Sequence, residues 1–134
     1  MDWVEVFLVF LVSHLVGDFG LQTEWQAAHK HGGLSLDARS AESRRALLSH
    51  VTTYTLAFVP ALIWLGSETG VGTAVAAAAL VFLPHYLQDD GRLLAEYMRR
   101  VKGTNPADQP FVAIALDQTF HLLFLFGLGL LVAS

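Results

Sequence analysis

Cysteine is absent from this 134-residue chain, which excludes disulfides and thiolate metal ligands alike. Charge is scarce too. Charged residues make up 15% of the sequence and hydrophobic ones 54%, whereas roughly a quarter of an average soluble domain is charged. Lysine and arginine are missing altogether from the amino terminus, from residues 66–70 and from the carboxyl terminus. The first apolar stretch starts directly at Met1-Asp2-Trp3, with no basic leader and no small-residue cleavage site. It is therefore expected to be a retained helix and not a signal peptide. The length suits a single domain. The net charge of -4 carries little meaning, because the charges are confined to particular segments.

What the chain does have is long apolar runs. A bilayer core needs about 20 mostly apolar residues per helix. Four stretches fit: Trp3 to about Leu21, Ala46 to Leu65, Val71 to about Gln88, and Phe111 to Val132. The expected fold is all-α, a polytopic membrane protein forming one four-transmembrane-helix bundle over residues 1–134. Gly66-Ser67-Glu68-Thr69-Gly70 reads as a short turn between the second and third helices. The other connections, Thr23 to Arg45 and Gly91 to Pro110, are long and polar. Inside the latter, Arg92 to Val101 reads as a helical piece whose Leu93, Leu94, Tyr97 and Met98 lie along the interface.

Every basic residue falls in those two long loops: Lys30, Arg39, Arg44 and Arg45 in the first, Arg92, Arg99, Arg100 and Lys102 in the second. The positive-inside rule then places both loops in the cytoplasm and both termini outside. Trp3 and Trp64 fall where outer aromatic anchors belong. Helices apolar on all faces suit lipid better than a soluble bundle.

Ionisable residues inside membrane helices are costly, so they face the bundle interior and mark function. Helix 1 carries His14 and Asp18, helix 2 His50, helix 3 His85 and Asp89, and helix 4 Asp117 and His121. Each His–Asp pair is spaced i, i+4, which puts both side chains on one helical face. Helices 1 and 3 run towards the cytoplasm and read His then Asp; helix 4 runs away from it and reads Asp then His. The two reversals cancel. All three pairs place the Asp nearer the cytoplasm and the His about 6 Å deeper, at 1.5 Å of rise per residue. A repeat is visible as well. His14-x3-Asp18 is followed by His50, and His85-x3-Asp89 by His121, at the same separation, with Gly20 and Gly91 also in register. Two helical hairpins related by a pseudo-two-fold axis along the membrane normal are expected. Ala46 stands where Asp117 would have its counterpart.

Imidazole with carboxylate is the usual ligand set of Zn, Mn and non-haem Fe. His14, Asp18, His50, His85, Asp89, Asp117 and His121 form the ligand pool for a divalent transition metal, Zn first, Mn or Fe next. The pool is large enough for one ion with supporting partners or for two. His–Asp hydrogen bonds that merely hold helices together are the plain alternative, and a proton relay is another. A di-iron site fits less well, since such sites use mostly Glu and this layer has none. Tyr54 lies one turn from His50 and is a candidate proton donor, or simply core. Gln22 continues the His14/Asp18 stripe at the mouth, while Gln118 points about 100° away from Asp117, towards another helix. His29, His31 and Asp90 are expected to be solvated. Arg44, Arg45, Arg99 and Arg100 ring the mouth, where they favour an anionic headgroup.

The motifs Ser13-His14-Leu15-Val16-Gly17-Asp18-Phe19-Gly20-Leu21-Gln22-Thr23, His50-x3-Tyr54, His85-x3-Asp89 and Leu116-Asp117-Gln118-x2-His121 cover nearly the whole chain. They resemble the domain-of-unknown-function family 3307, small membrane proteins of bacteria and their phages, and Lys30 fits that family's lysine after the first motif. The resemblance implies a membrane location and no established activity. The pattern is also distantly similar to inner-membrane metal-dependent hydrolases with an intramembrane His-x3-Asp.

The reading is a membrane-embedded metal-dependent hydrolase of the bacterial inner membrane, acting on a lipid or lipid-linked phosphate at the cytoplasmic leaflet. Asp117, alone without a counterpart in the repeat, is the candidate general base. The alternative is a non-enzymatic membrane metalloprotein that binds or translocates metal ions or protons. The apolar outer halves, Phe7 to Leu11 and Leu123 to Leu131, favour a closed site. No nucleic acid is expected as a partner, and pairing of two copies stays open. Reporter fusions at Glu68 and at the carboxyl terminus should both report the external side; a cytoplasmic signal from either overturns the topology.

Overall fold

A computed structural model describes residues 1–133, which are all-helical with no strand among them. Helix α1 (Trp3–Leu15) continues without a break into a π-helical turn, Val16–Gly20. Short α2 (Glu24–His29) and a 3-10 turn (Ala38–Ser40) lead to α3 (Ala41–Ala57) and α4 (Val59–Thr69). Helix α5 (Val71–Gln88) is followed by α6 (Arg92–Tyr97) with a second π-turn, Met98–Lys102, and by α7 (Pro110–Ala133). Trp3–Gly20, Val71–Gln88 and Pro110–Ala133 are each long and apolar enough to cross a membrane, and the bent pair α3–α4 makes a fourth span.

The second span differs most from its expected outline. It starts earlier than Ala46, because the polar turn carrying Glu42, Arg44 and Arg45 is helical although not apolar. It also bends by 50° between Ala57 and Val59. Pro60 has no N–H to give to the carbonyl four residues back, and the Phe58 N–H turns instead to Thr55 O at 3.0 Å. The helix then runs on through most of the expected turn. Ser67 and Thr69 bond back to Trp64 O (2.6 Å) and Leu65 O (2.8 Å), which keeps these polar residues helical. Gly70, at φ +100°, makes the reversal almost alone.

The spans form a closed ring in which α1 packs on α7, α7 on α5, and α5 on α3 and α4. The half of the bundle nearest the termini and Gly70 is filled by Val6, Phe10, Phe58, Leu65, Val81 and Leu128 with their neighbours. In lipid such packing acts through close contact, since the surrounding tails are equally apolar. Polar residues are confined to the opposite half, under the two long loops.

Those loops are structured. A capping box joins Thr23 and Gln26 at the start of α2. The buried Gln26 amide also donates to Ser49 Oγ at 2.8 Å, pinning α2 onto α3. Helix α6 does not simply lie along the interface: Met98 is fully buried and Tyr97 packs edge-on against Phe120, while Leu93 stays exposed. Asp90 is not solvated either. It is 1% exposed, its carboxylate accepts from the Leu34 N–H at 2.8 Å and from the Arg92 guanidinium, and its carbonyl accepts from the Gly32 N–H at 2.9 Å. One buried carboxylate thus clasps the first loop to the second.

Asp90→Ala strands the Leu34 N–H and is expected to destabilise the protein by about 1–3 kcal/mol. Arg92→Ala leaves the buried Asp90 carboxylate without its cation and should destabilise as well. Thermal unfolding in detergent tests both; an Asp90→Ala protein as stable as the wild type would refute the clasp.

Candidate metal centre

Asp18 owes its place to the π-turn. Adding a residue to the turn (Leu21 N–H to Val16 O, 2.9 Å) carries Asp18 towards the bundle axis. Gly17 lets that turn touch α3: a Cβ there would lie 2.6 Å from Tyr54 Cδ2 and 3.2 Å from Tyr54 Cα. On α5, Pro84 precedes His85, so α5 lacks one backbone bond just before its site residues.

Four ligand-type atoms converge from three spans: Asp18 Oδ1, His50 Nε2, His85 Nε2 and Asp89 Oδ2. Nε2 of His50 lies 3.1 Å from Nε2 of His85, 3.3 Å from Asp18 Oδ1 and 2.8 Å from Asp89 Oδ2. Nε2 of His85 lies 3.3 Å from Asp18 Oδ1 and 3.4 Å from Asp89 Oδ2. A tetrahedral ion with ligands at about 2.0–2.1 Å has its ligand atoms roughly 3.3–3.4 Å apart, close to these five separations. Hydrogen bonding accounts for part of the convergence, His50 to His85 and His50 to Asp89, but leaves Asp18 Oδ1 buried without a hydrogen-bond partner. His50 Nδ1 and His85 Nδ1 also lack partners. The His85 ring is oriented instead by Tyr54, stacked on it at 3.5 Å and 5°.

A second group, Asp89, Asp117 and His121, adjoins the first through Asp89. His121 Nδ1 donates to Asp117 O at 2.7 Å, and its Nε2 lies 3.0 Å from Asp89 Oδ1. The Asp117 side chain is 27% exposed, the most open of the cluster.

His14 shares the layer but not the tetrahedron. Both ring nitrogens are engaged: the Tyr54 hydroxyl donates to Nδ1 at 3.1 Å, and Nε2–H donates to Gln118 Oε1 at 2.9 Å. The Gln118 amide donates in turn to Asp18 Oδ2 at 3.2 Å. Tyr54, His14 and Gln118 are therefore a chain that holds Asp18 by one oxygen and aims the other at the histidines, as outer partners of metal ligands do. Tyr54 is 1% exposed and acts through His14 and His85. Gln118 reaches another helix, as its direction predicts, and in doing so enters the site.

Lys30, in the first long loop, reaches the centre. Its ammonium donates to Asp89 Oδ2 at 2.6 Å and to Gln22 Oε1 at 2.7 Å. The signal for it was Thr23-Glu24-Trp25-Gln26, whose capping-box pattern starts a short helix that brings Lys30 back over the first motif. Three carboxylates then face one ammonium, an excess of two negative charges. Buried charge must be compensated, and divalent cation binding does so.

A family model described as Protein of unknown function (DUF3307) matches residues 6–133. No curated protein and no solved structure matches.

The purified protein is expected to carry a divalent transition metal. His50→Ala or His85→Ala should strip the tetrahedral set, whereas His14→Ala and Tyr54→Phe should weaken affinity about 10–100-fold, the usual cost of losing an outer partner. Elemental analysis checks this. Wild type and variants with equally little metal would leave helix-to-helix hydrogen bonding as the role of the cluster.

Proposed function

We propose that this chain, which belongs to the family described as Protein of unknown function (DUF3307), is a membrane-embedded metal-dependent hydrolase acting on a lipid or lipid-linked phosphate at the cytoplasmic leaflet. The position of Asp117 carries the reading. This partly exposed carboxylate lines two cavities. One is a groove of about 680 Å³ under the loops, lined by Lys30, Arg92 and Gln22 among others. The other is a slot of about 380 Å³ walled by Leu93, Phe120, Leu123 and Phe124. The groove carries Lys30 and Arg92 among the carboxylates of Asp18, Asp90 and Asp117; with a divalent ion bound there, it and the apolar slot would suit a substrate with an anionic head and a hydrocarbon tail.

A divalent ion would lower the pKa of a bound water and polarise the phosphoryl oxygen. The chain's own residues supply the rest. Lys30 and Arg92 bind the phosphate oxygens through charge-assisted hydrogen bonds. Asp117 takes a proton from the attacking water as its oxygen bonds to phosphorus. The phosphorus–oxygen bond to the lipid breaks, the electron pair leaves on the lipid oxygen, and that oxygen is protonated to the alcohol. The slot walls keep the tail fixed and the bulk water out.

The apolar packing of Val6, Phe10, Phe58, Leu65 and Leu128 across the other half of the bundle favours this closed site over translocation of ions or protons. Asp117→Asn should lower phosphate release from a lipid or polyprenyl phosphate in mixed micelles by about 10²–10⁴-fold, the range for a general base. It should keep the ion of the tetrahedral set, none of whose four atoms comes from Asp117. Turnover unchanged in Asp117→Asn would remove the base, and no release from any such substrate by metal-loaded wild type would remove the hydrolase.

A further inference from the structure

We infer that the centre holds two divalent cations bridged by Asp89, the second lying between Asp89 Oδ1, His121 Nε2 and Asp117. The inference rests on the hydrolase reading for its purpose but on separate atoms for its support. His121 Nδ1 carries its proton to the Asp117 carbonyl at 2.7 Å, so Nε2 presents a bare lone pair. That lone pair faces Asp89 Oδ1 at 3.0 Å, and neither atom has a hydrogen-bond partner. Both residues are 2% exposed, so water does not relieve them. With the neutral ring, two buried acceptors this close repel unless a cation binds both. A second proton on His121 would make the same 3.0 Å contact an ion pair with Asp89, and the Mn²⁺ titration separates the two.

Asp89 is suited to bridge. Its Oδ2 belongs to the tetrahedron and its Oδ1 to the second group, so one carboxylate reaches both positions. The His121 tautomer is the one a metal ligand needs, with the other ring nitrogen held by a carbonyl. The two positions differ in kind. The first has four protein atoms and is closed. The second has three side chains, one of them Asp117 at the junction of groove and slot, and is open to substrate. Asp117 has one oxygen for the ion and one left to receive a proton. Paired ions about 3.5–4 Å apart can hold both the attacking and the leaving oxygen of an in-line displacement.

The test uses Mn²⁺ and Zn²⁺ with the full-length protein in detergent. Apoprotein titrated with Mn²⁺ should bind two equivalents and give an exchange-coupled electron paramagnetic resonance spectrum. His121→Ala, and the milder His121→Gln, should bind one equivalent and give the spectrum of an isolated ion, with helix content and gel-filtration profile unchanged. Zn²⁺ stoichiometry by elemental analysis should follow the same two-to-one pattern. Wild type saturating at one equivalent, or an uncoupled spectrum at two, overturns the inference without needing any variant to fold; so does a His121 variant that keeps two. One ion with phosphate release intact would sink the second cation and leave the hydrolase standing. Two coupled ions with no release would do the reverse.

Discussion

Everything at the loop end of the bundle depends on placing three carboxylates inside a membrane-spanning ring. Burying a charge is tolerable only when it is paired and hydrogen-bonded. Asp18, Asp89 and Asp117 have one ammonium among them, that of Lys30, and it reaches only Asp89. Asp18 gives one oxygen to Gln118 and leaves the other without a partner. Asp89 has Lys30 on one oxygen and none bonded to the other. A cluster selected only to glue helices would close its hydrogen bonds, since open ones weaken the glue. This one leaves acceptors open and points them at one another.

The irregularities of the helices follow from that demand. A straight first helix would carry Asp18 past the axis, and the π-turn restores it. The approach of α3 that brings His50 and Tyr54 into reach requires Gly17, because any side chain there meets Tyr54. Pro84 weakens α5 one residue before His85, and the bend near Pro60 keeps α4 packed on α5 after α3 has delivered His50. Within the spans, each of these departures from regular helix lies within a few residues of the site or lets the remainder of the span accommodate it. The outer half carries no such burden and is simply packed.

Much of this was legible in the sequence because of one physical rule applied repeatedly. An ionisable residue in an apolar run must face inward, so His14, Asp18, His50, His85, Asp89, Asp117 and His121 had to share the bundle interior, and the reversed order in the last helix set their common level. What stayed hidden were contacts that depend on loops. Lys30 and Asp90 sit in polar segments, where a charged side chain is ordinarily solvated, and nothing in their composition distinguishes the buried from the exposed. The helical start at Ala41 was hidden for a related reason: hydropathy marks where lipid begins and not where hydrogen-bonded backbone begins. The distinction between His14 and His85 was also out of reach, because both sit in the same His-x3-Asp pattern.

That distinction shows how a repeated hairpin becomes an asymmetric site. Paired by sequence, His50 Nε2 to Asp18 is 3.3 Å and His121 Nε2 to Asp89 is 3.0 Å, while His14 turns Nδ1 to Asp18 at 3.8 Å and His85 turns Nε2 to Asp89 at 3.4 Å. What breaks the repeat is the neighbours. His14 meets Tyr54 and Gln118, whereas the positions equivalent to those two in the other half are Leu125 and Leu47, which offer no hydrogen bond. Two polar residues on one side are enough to occupy both nitrogens of His14. Its counterpart His85 is stacked on Tyr54 and turns Nε2 to His50, Asp18 and Asp89. Asp117, set opposite Ala46, adds the one carboxylate that the other half cannot match, and it does so on the side where the bundle opens. The sequence repeat supplies the His and Asp residues in pairs, and these three positions, Tyr54, Gln118 and Asp117, are where its two halves differ in hydrogen-bonding capacity.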